Sequence, residues 1–168
     1  MLIEEKLGNI HTVATGNCGV DVVDIAWYET NRRILHKVTR RGTSITLRFF
    51  NDSPGFRDGD ILWRDHETVI VVDILPCKCI VITPANLPAT AWVCYEIGNR
   101  HLPLFYEGGD LLVPYETPLY NLLQASGHNV FVAERKLNNP LKTTVLPHVQ
   151  IAESAAIYNR IIQPTTIS

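Results

Sequence analysis

The apolar pattern of this chain changes period once, at Ile74-Leu75-Pro76, and that change calls for two differently built parts. Before it, apolar and polar residues alternate in short runs: Val20 to Ile25, Arg33 to Val38, Ser44 to Phe49 and Ile61 to Trp63. The runs are rich in β-branched and aromatic side chains. Gly42, Asn51-Asp52-Ser53-Pro54-Gly55 and Asp58-Gly59-Asp60 separate them as turns. A period of two lines one face of a sheet, so residues 1–75 are expected to form an all-β domain.

After the break, helical spacing enters. A strand at Ile80 to Thr83 leads through Pro84-Ala85-Asn86-Leu87-Pro88 into Ala89, Trp92, Val93 and Ile97, which recur at the period of a helix. Pro88 suits its first turn and Gly98-Asn99 is expected to stop it. Leu102 to Glu107 and Asp110 to Glu116 flank Gly108-Gly109, a two-residue hairpin turn. Thr117-Pro118 then offers an N-cap and a first-turn proline for a helix carrying Leu119, Leu122 and Leu123, which Gly127 ends. A strand at Asn129 to Glu134 completes the order βαββαβ, that of a ferredoxin-like domain over residues 76–140. Residues 141–168 are expected as a partly flexible tail, with a weak helical pattern in Ile151, Ala155, Tyr158 and Ile162. The class is α+β.

Charge and cysteine content narrow the function classes. A formal net charge of -2 gives no footprint for nucleic acid or an anionic membrane. The longest apolar stretch, Thr68 to Pro84, is broken by Asp73, Pro76 and Lys78 and does not make a spanning helix. Met1 to Lys6 lacks the pattern of a secretory signal, so a soluble, cytoplasmic protein is expected. Cys18, Cys77, Cys79 and Cys94 are too few for a disulfide scaffold. Cys77 and Cys79 share one strand face, but no second pair completes a four-thiolate zinc site. They read as small buried hydrophobes at the junction of the two parts, and Cys94 as helix packing.

The residue with the most to say is His101, in Gly98-Asn99-Arg100-His101-Leu102-Pro103, where a helix ends and an extended segment begins. Near the negative end of a helix and near the surface, an imidazole suits a divalent cation. Two readings stay open: a helix-end histidine bonding the last carbonyls, and a metal ligand. One imidazole cannot hold a transition metal tightly, and no second histidine lies three or four residues away. A two-fold axis passing near His101 would bring in a second copy. His11, His36, His66 and His128 are scattered and read as surface residues, whereas His148, after Pro147 in the tail, could swing toward a site on the body.

Catalysis finds little support. Asp65, Glu107, Asp110 and Glu116 are framed with no nucleophile or second carboxylate, and phosphate loops, nucleophile elbows and zinc-protease motifs are missing. Arg32, Arg33, Lys37, Arg40 and Arg41 form a basic cluster that reads as a solvated face rather than a protein-docking surface.

The string Cys94-Tyr95-Glu96-Ile97-Gly98-Asn99-Arg100-His101-Leu102-Pro103-Leu104 resembles the signature of the UreE family, the nickel metallochaperones of urease maturation. Arg32-Arg33, Arg40-Arg41-Gly42, Leu47-Arg48-Phe49 and Phe56-Arg57-Asp58-Gly59-Asp60-Ile61-Leu62 are similar to the same family's first domain. The resemblance implies a first domain that engages protein partners, a ferredoxin-like metal-binding domain, and a homodimer in which His101 of both protomers holds one nickel ion. It also implies delivery to the urease apoprotein together with its accessory proteins, especially the GTPase UreG. Zinc or copper is expected to occupy the same ligands in vitro. Where many relatives carry further histidines this chain has Tyr115, Glu116 and Thr117, and it lacks a histidine-rich tail, so His148 is the tail's one candidate ligand. The alternative is a peptide-docking or co-chaperone module whose metal binding is incidental. A small metallohydrolase ranks last, for want of a general base.

Overall fold

The computed structural model describes residues 1–14, 16, 18–49 and 55–141. The first part holds β1 (Leu2–Ile3), β2 (Gly8–Asn9), β3 (Gly19–Ile25), β4 (Ile34–Val38), β5 (Ser44–Arg48), β6 (Asp60–Arg64) and β7 (Thr68–Ile74), with a 3-10 turn at Trp27–Glu29. Alternation sets the inward faces, as in β5, where Ile45 and Leu47 are buried while Ser44 and Arg48 are exposed. Two sheets result, in the orders β1-β5-β4 and β2-β6-β7-β3. Ile3, Val23, Leu35, Leu47, Leu62, Ile70 and Val72 from both sheets share one core. Each buried aliphatic side chain of this kind contributes roughly 1.5–3 kcal/mol relative to exposure.

The second part holds β8 (Cys77–Ile82), α1 (Leu87–Asn99), β9 (Phe105–Glu107), β10 (Asp110–Pro114), α2 (Thr117–Ala125) and β11 (Val130–Arg135). Its strands lie in the order β11-β8-β10-β9, every neighbouring pair antiparallel, which is the ferredoxin-like arrangement. Both helices cover one face, where Ile80, Ile82 and Val113 meet Val93, Ile97, Leu119 and Leu123. The other face carries Cys79, Val81, Phe105 and Leu112, and against it packs Trp27 of the first part. The Trp27 and Phe105 rings meet edge to face with centroids 5.9 Å apart. Burial on both faces is why β8 reads as a nearly unbroken apolar run. Cys79 lies in this layer with Cys77 beside it, as expected of small hydrophobes at a junction.

Ion pairs reinforce the same seam. Lys136, just past β11, donates to Asp58 and Asp73 of the first part, and Arg40 donates to Asp24 and Asp73. Burial alone would raise the Asp73 carboxyl, but Lys136 and Arg40 hold it below the ordinary carboxylate range. Of the five bases expected to form a solvated face, Lys37 and Arg40 are therefore structural, Lys37 through Glu29 at 2.6 Å.

Several sequence expectations change in detail. The short strands β1 and β2 were not anticipated, and two pairings, β1 with β5 and β3 with β7, are parallel. Thr117 does not cap α2: its N-cap is Glu116, whose carboxylate accepts from the Leu119 N–H at 3.0 Å. His128 is half-buried rather than a surface residue, its ring stacked on Trp92 with centroids 4.8 Å apart. Most of the expected tail, His148 with it, lies outside the described residues.

Candidate metal centre

The centre is built by the way α1 starts and stops. Asn86 caps its first turn by accepting the Ala89 N–H at 2.9 Å, and Pro88 occupies a position where no N–H is needed. At the other end Gly98 does not take the left-handed stop conformation expected of it. The helix runs through it to Asn99, Arg100 is the C-cap, and the left-handed residue is His101, at φ 54°.

The closure around His101 is a Schellman motif. Its N–H donates to the Gly98 carbonyl at 2.9 Å, and the Leu102 N–H donates to the Ile97 carbonyl at 3.3 Å. Leu102 and Ile97 both pack in the core beneath the helices, which supplies the apolar contact this motif favours. Glycine usually fills such a site because a Cβ costs roughly 1–2 kcal/mol in the left-handed region. Among the described residues, His101 is the only non-glycine with positive φ. A side chain kept at a strained position points to a use for that side chain.

The imidazole is left available. His101 is exposed, and its ring makes no hydrogen bond or ion pair among the described residues, so the backbone rather than the ring closes the helix. The neighbouring charges satisfy each other: the Arg100 guanidinium donates to the Glu96 carbonyl at 2.8 Å and to its carboxylate at 2.6 Å. Among the described residues no three His, Cys, Asp or Glu side chains converge on one point. Any metal at His101 therefore needs ligands from outside this group of described residues.

The thiols are poor competitors for the ion. Burial raises the pKa of Cys94 and of Cys77, and burial together with the neighbouring Cys77 pushes Cys79 up to about 11. A thiol kept protonated is a weaker nucleophile and a weaker ligand at neutral pH. Tyr115 packs against Tyr120, with the Lys78 ammonium 3.9 Å from its ring centroid, and Glu116 holds the start of α2. Tyr115 and Glu116 thus do structural work here.

The carboxylates weighed as acid-base groups also have partners. Asp65 accepts the Glu67 and Thr68 N–H groups, Asp110 accepts the Thr83 hydroxyl at 2.6 Å, and Glu107 faces Arg135 at 3.8 Å. Of the other histidines, His36 meets the Thr46 hydroxyl at 3.1 Å and His66 faces Glu67 at 3.7 Å. The left-handed state of His101 was missed in the sequence, although the apolar pair Ile97 and Leu102, five residues apart, is a signature of the Schellman closure.

The comparisons with known proteins agree with the fold and with the signature. The model of the UreE urease accessory protein N-terminal domain matches residues 3–75, and that of the C-terminal domain matches residues 77–142. A urease accessory protein UreE of Flavobacterium johnsoniae is 35% identical over 162 residues, covering 96% of this chain and 98% of its own. UreE of Acetivibrio thermocellus is 39% identical over 141 residues, covering 84% and 92%, and that of Helicobacter pylori 36% over 153 residues, covering 88% and 89%. Full-length matches at this identity, on a chain that ends its first ferredoxin-like helix with a histidine, establish that it belongs to the UreE family of urease accessory proteins.

Proposed function

We propose that the chain is a nickel carrier for assembly of the urease metallocentre, and that His101 from each of two protomers forms the interfacial site. As a member of an accessory family it is not an enzyme, so its metal is cargo. The observation that carries the reading is the left-handed His101: an exposed imidazole, free of hydrogen bonds among the described residues, kept where glycine would fit with less strain. Tyr95, 67% exposed in the last two turns of α1, adds an aromatic surface suited to a contact between copies. Ni²⁺ accepts imidazole ligands and tolerates water in its remaining positions, and ligands shared across an interface exchange stepwise, which suits release to a recipient.

The division of labour follows from the same reading. Residues 76–140 hold the metal, residues 1–75 dock protein partners, and residues 141–168 contribute His148 as an additional ligand. The partners are a second copy, the urease apoprotein and the accessory GTPase UreG, and the compartment is the cytoplasm. Zinc and copper compete for the same ligands in vitro. Calorimetric titration with nickel tests the site. His101→Ala should leave a folded dimer and abolish the tight step, and truncation before His148 should weaken that step without removing it. Unchanged nickel affinity and stoichiometry in His101→Ala would sink the proposal.

A further inference from the structure

The two parts enclose a cleft of about 410 Å³ whose walls come from both and include no residue of α1. One wall is fixed by close backbone approach. The Phe56 N–H donates to the Thr30 carbonyl at 2.8 Å, and a Cβ on Gly55 would lie 2.4 Å from the Asn31 side-chain oxygen. The other wall is the segment after β11, which lies against β9: the Tyr106 N–H donates to the Asn139 carbonyl at 3.1 Å, and the Leu141 N–H to the Leu104 carbonyl at 2.7 Å. Both walls are pinned by backbone hydrogen bonds, so the cleft is preformed.

Its lining is mixed in a particular way. Phe56, Ile74 and Leu137 make an apolar floor, while Asn31, Arg57 and Asn138 add polar groups. The Asn138 side-chain oxygen is buried and has no donor among the described residues. Arg57 is exposed, and its guanidinium has no hydrogen bond or ion pair among the described residues, although its backbone N–H is held by Asp60 at 2.9 Å. The acids beside it are already neutralised, Asp58 by Lys136 and Asp60 by Lys6. Arg32 and Arg33, which follow Asn31 in the chain, are exposed and form no salt bridge among the described residues.

We propose that this cleft binds an extended acidic segment of a partner protein, with Arg57 as the carboxylate anchor. The inference rests on the reading that the first part docks protein partners, and it adds where docking happens and what is recognised. Each element of such a segment finds its complement. A carboxylate pairs with the exposed Arg57 guanidinium, backbone groups pair with the Asn31 and Asn138 side chains that line the cleft, and an aliphatic side chain covers the floor. The net charge of -2 disfavours a long polyanion such as RNA, whereas a single carboxylate among apolar residues needs one cation over a mixed floor.

The test is fluorescence anisotropy on the full chain with a labelled ten-residue peptide of alternating glutamate and leucine, its lysine and leucine counterpart, and an oligothymidylate competitor. The acidic peptide should bind, weaken about tenfold or more on Arg57→Glu, and be unaffected by Arg48→Gln, whose side chain pairs with Glu4 elsewhere. The Arg57 side chain makes no hydrogen bond or ion pair among the described residues, so the variant should remain folded and still bind nickel. Amide shifts in NMR should fall on Asn31, Tyr106 and Asn138. Equal binding of the lysine peptide, equal displacement by the oligothymidylate, or indifference to Arg57→Glu would overturn the proposal. Shifts confined to β1–β7 with the cleft silent would overturn it while leaving the docking role of the first part standing.

Discussion

Replacing His101 with glycine and with alanine separates the structural burden of this residue from its use. Both variants lose the imidazole, but they differ in how they tolerate φ 54°. Alanine keeps a Cβ in the left-handed region, at roughly 1–2 kcal/mol, whereas glycine removes that strain and in exchange raises the unfolded-state entropy, worth about 0.5–1 kcal/mol. The difference leaves His101→Gly at least as stable as His101→Ala, by roughly 0–1.5 kcal/mol, which for a chain of this size is up to a few degrees in Tm, at about 2–4 °C per kcal/mol. The two Schellman bonds at Gly98 and Ile97 remain available in both variants, since they use backbone atoms only. Thermal unfolding of the metal-free proteins, at matched concentration because association shifts Tm, gives the stability order. Nickel titration of the same samples should show the tight step gone from both. Alanine clearly more stable than glycine would refute the left-handed cap, and tight nickel binding by the glycine variant would refute the ligand.

Three further outcomes follow from groups around the centre and the seam. Asp73→Asn should destabilise the neutral protein by about 1 kcal/mol after allowing for partial exposure. Because the folded carboxyl sits below its unfolded value, its contribution is present above the ordinary carboxylate range and lost as pH falls through the folded value, so acid titration of unfolding should show the wild-type and variant curves converging at low pH. Convergence on raising the pH instead would contradict the assignment. Glu116→Ala should cost about 1 kcal/mol through loss of the α2 cap while nickel affinity stays unchanged, and a fall in affinity would make Glu116 a ligand. Cys77→Ala with Cys79→Ala should leave nickel binding intact, and in the wild type Cys79 should react slowly with iodoacetamide at neutral pH, its thiol being pushed up to about 11; rapid alkylation of the folded protein would contradict its burial.

The switch of apolar period at Pro76 was enough to foresee a β part followed by βαββαβ, because faces of strands and helices are written in residue spacing. Strand direction is not written there. The parallel pairing of β3 with β7 has the same alternation an antiparallel one would have, and two-residue strands such as β2 have no period to detect. Caps were half legible: Pro118 marked the first turn of α2, but the choice between Glu116 and Thr117 depended on which oxygen reaches the Leu119 N–H. At His101 the sequence showed where a histidine stands, and glycine three residues earlier drew the helix stop to itself. Only the backbone reveals that Gly98 is helical and that the histidine bears the left-handed turn. The seam ion pairs join residues as distant as Asp58 and Lys136, which no local pattern connects.

Native mass spectrometry of the nickel-loaded protein reaches the central claim most directly. If His101 is half of a site, the dimer should carry one tightly held nickel ion, the His101→Ala dimer none, and a mixed dimer with a single His101 should lose its ion at low free nickel. A monomer that holds nickel alone, or a His101→Ala dimer that keeps the ion, would contradict the account.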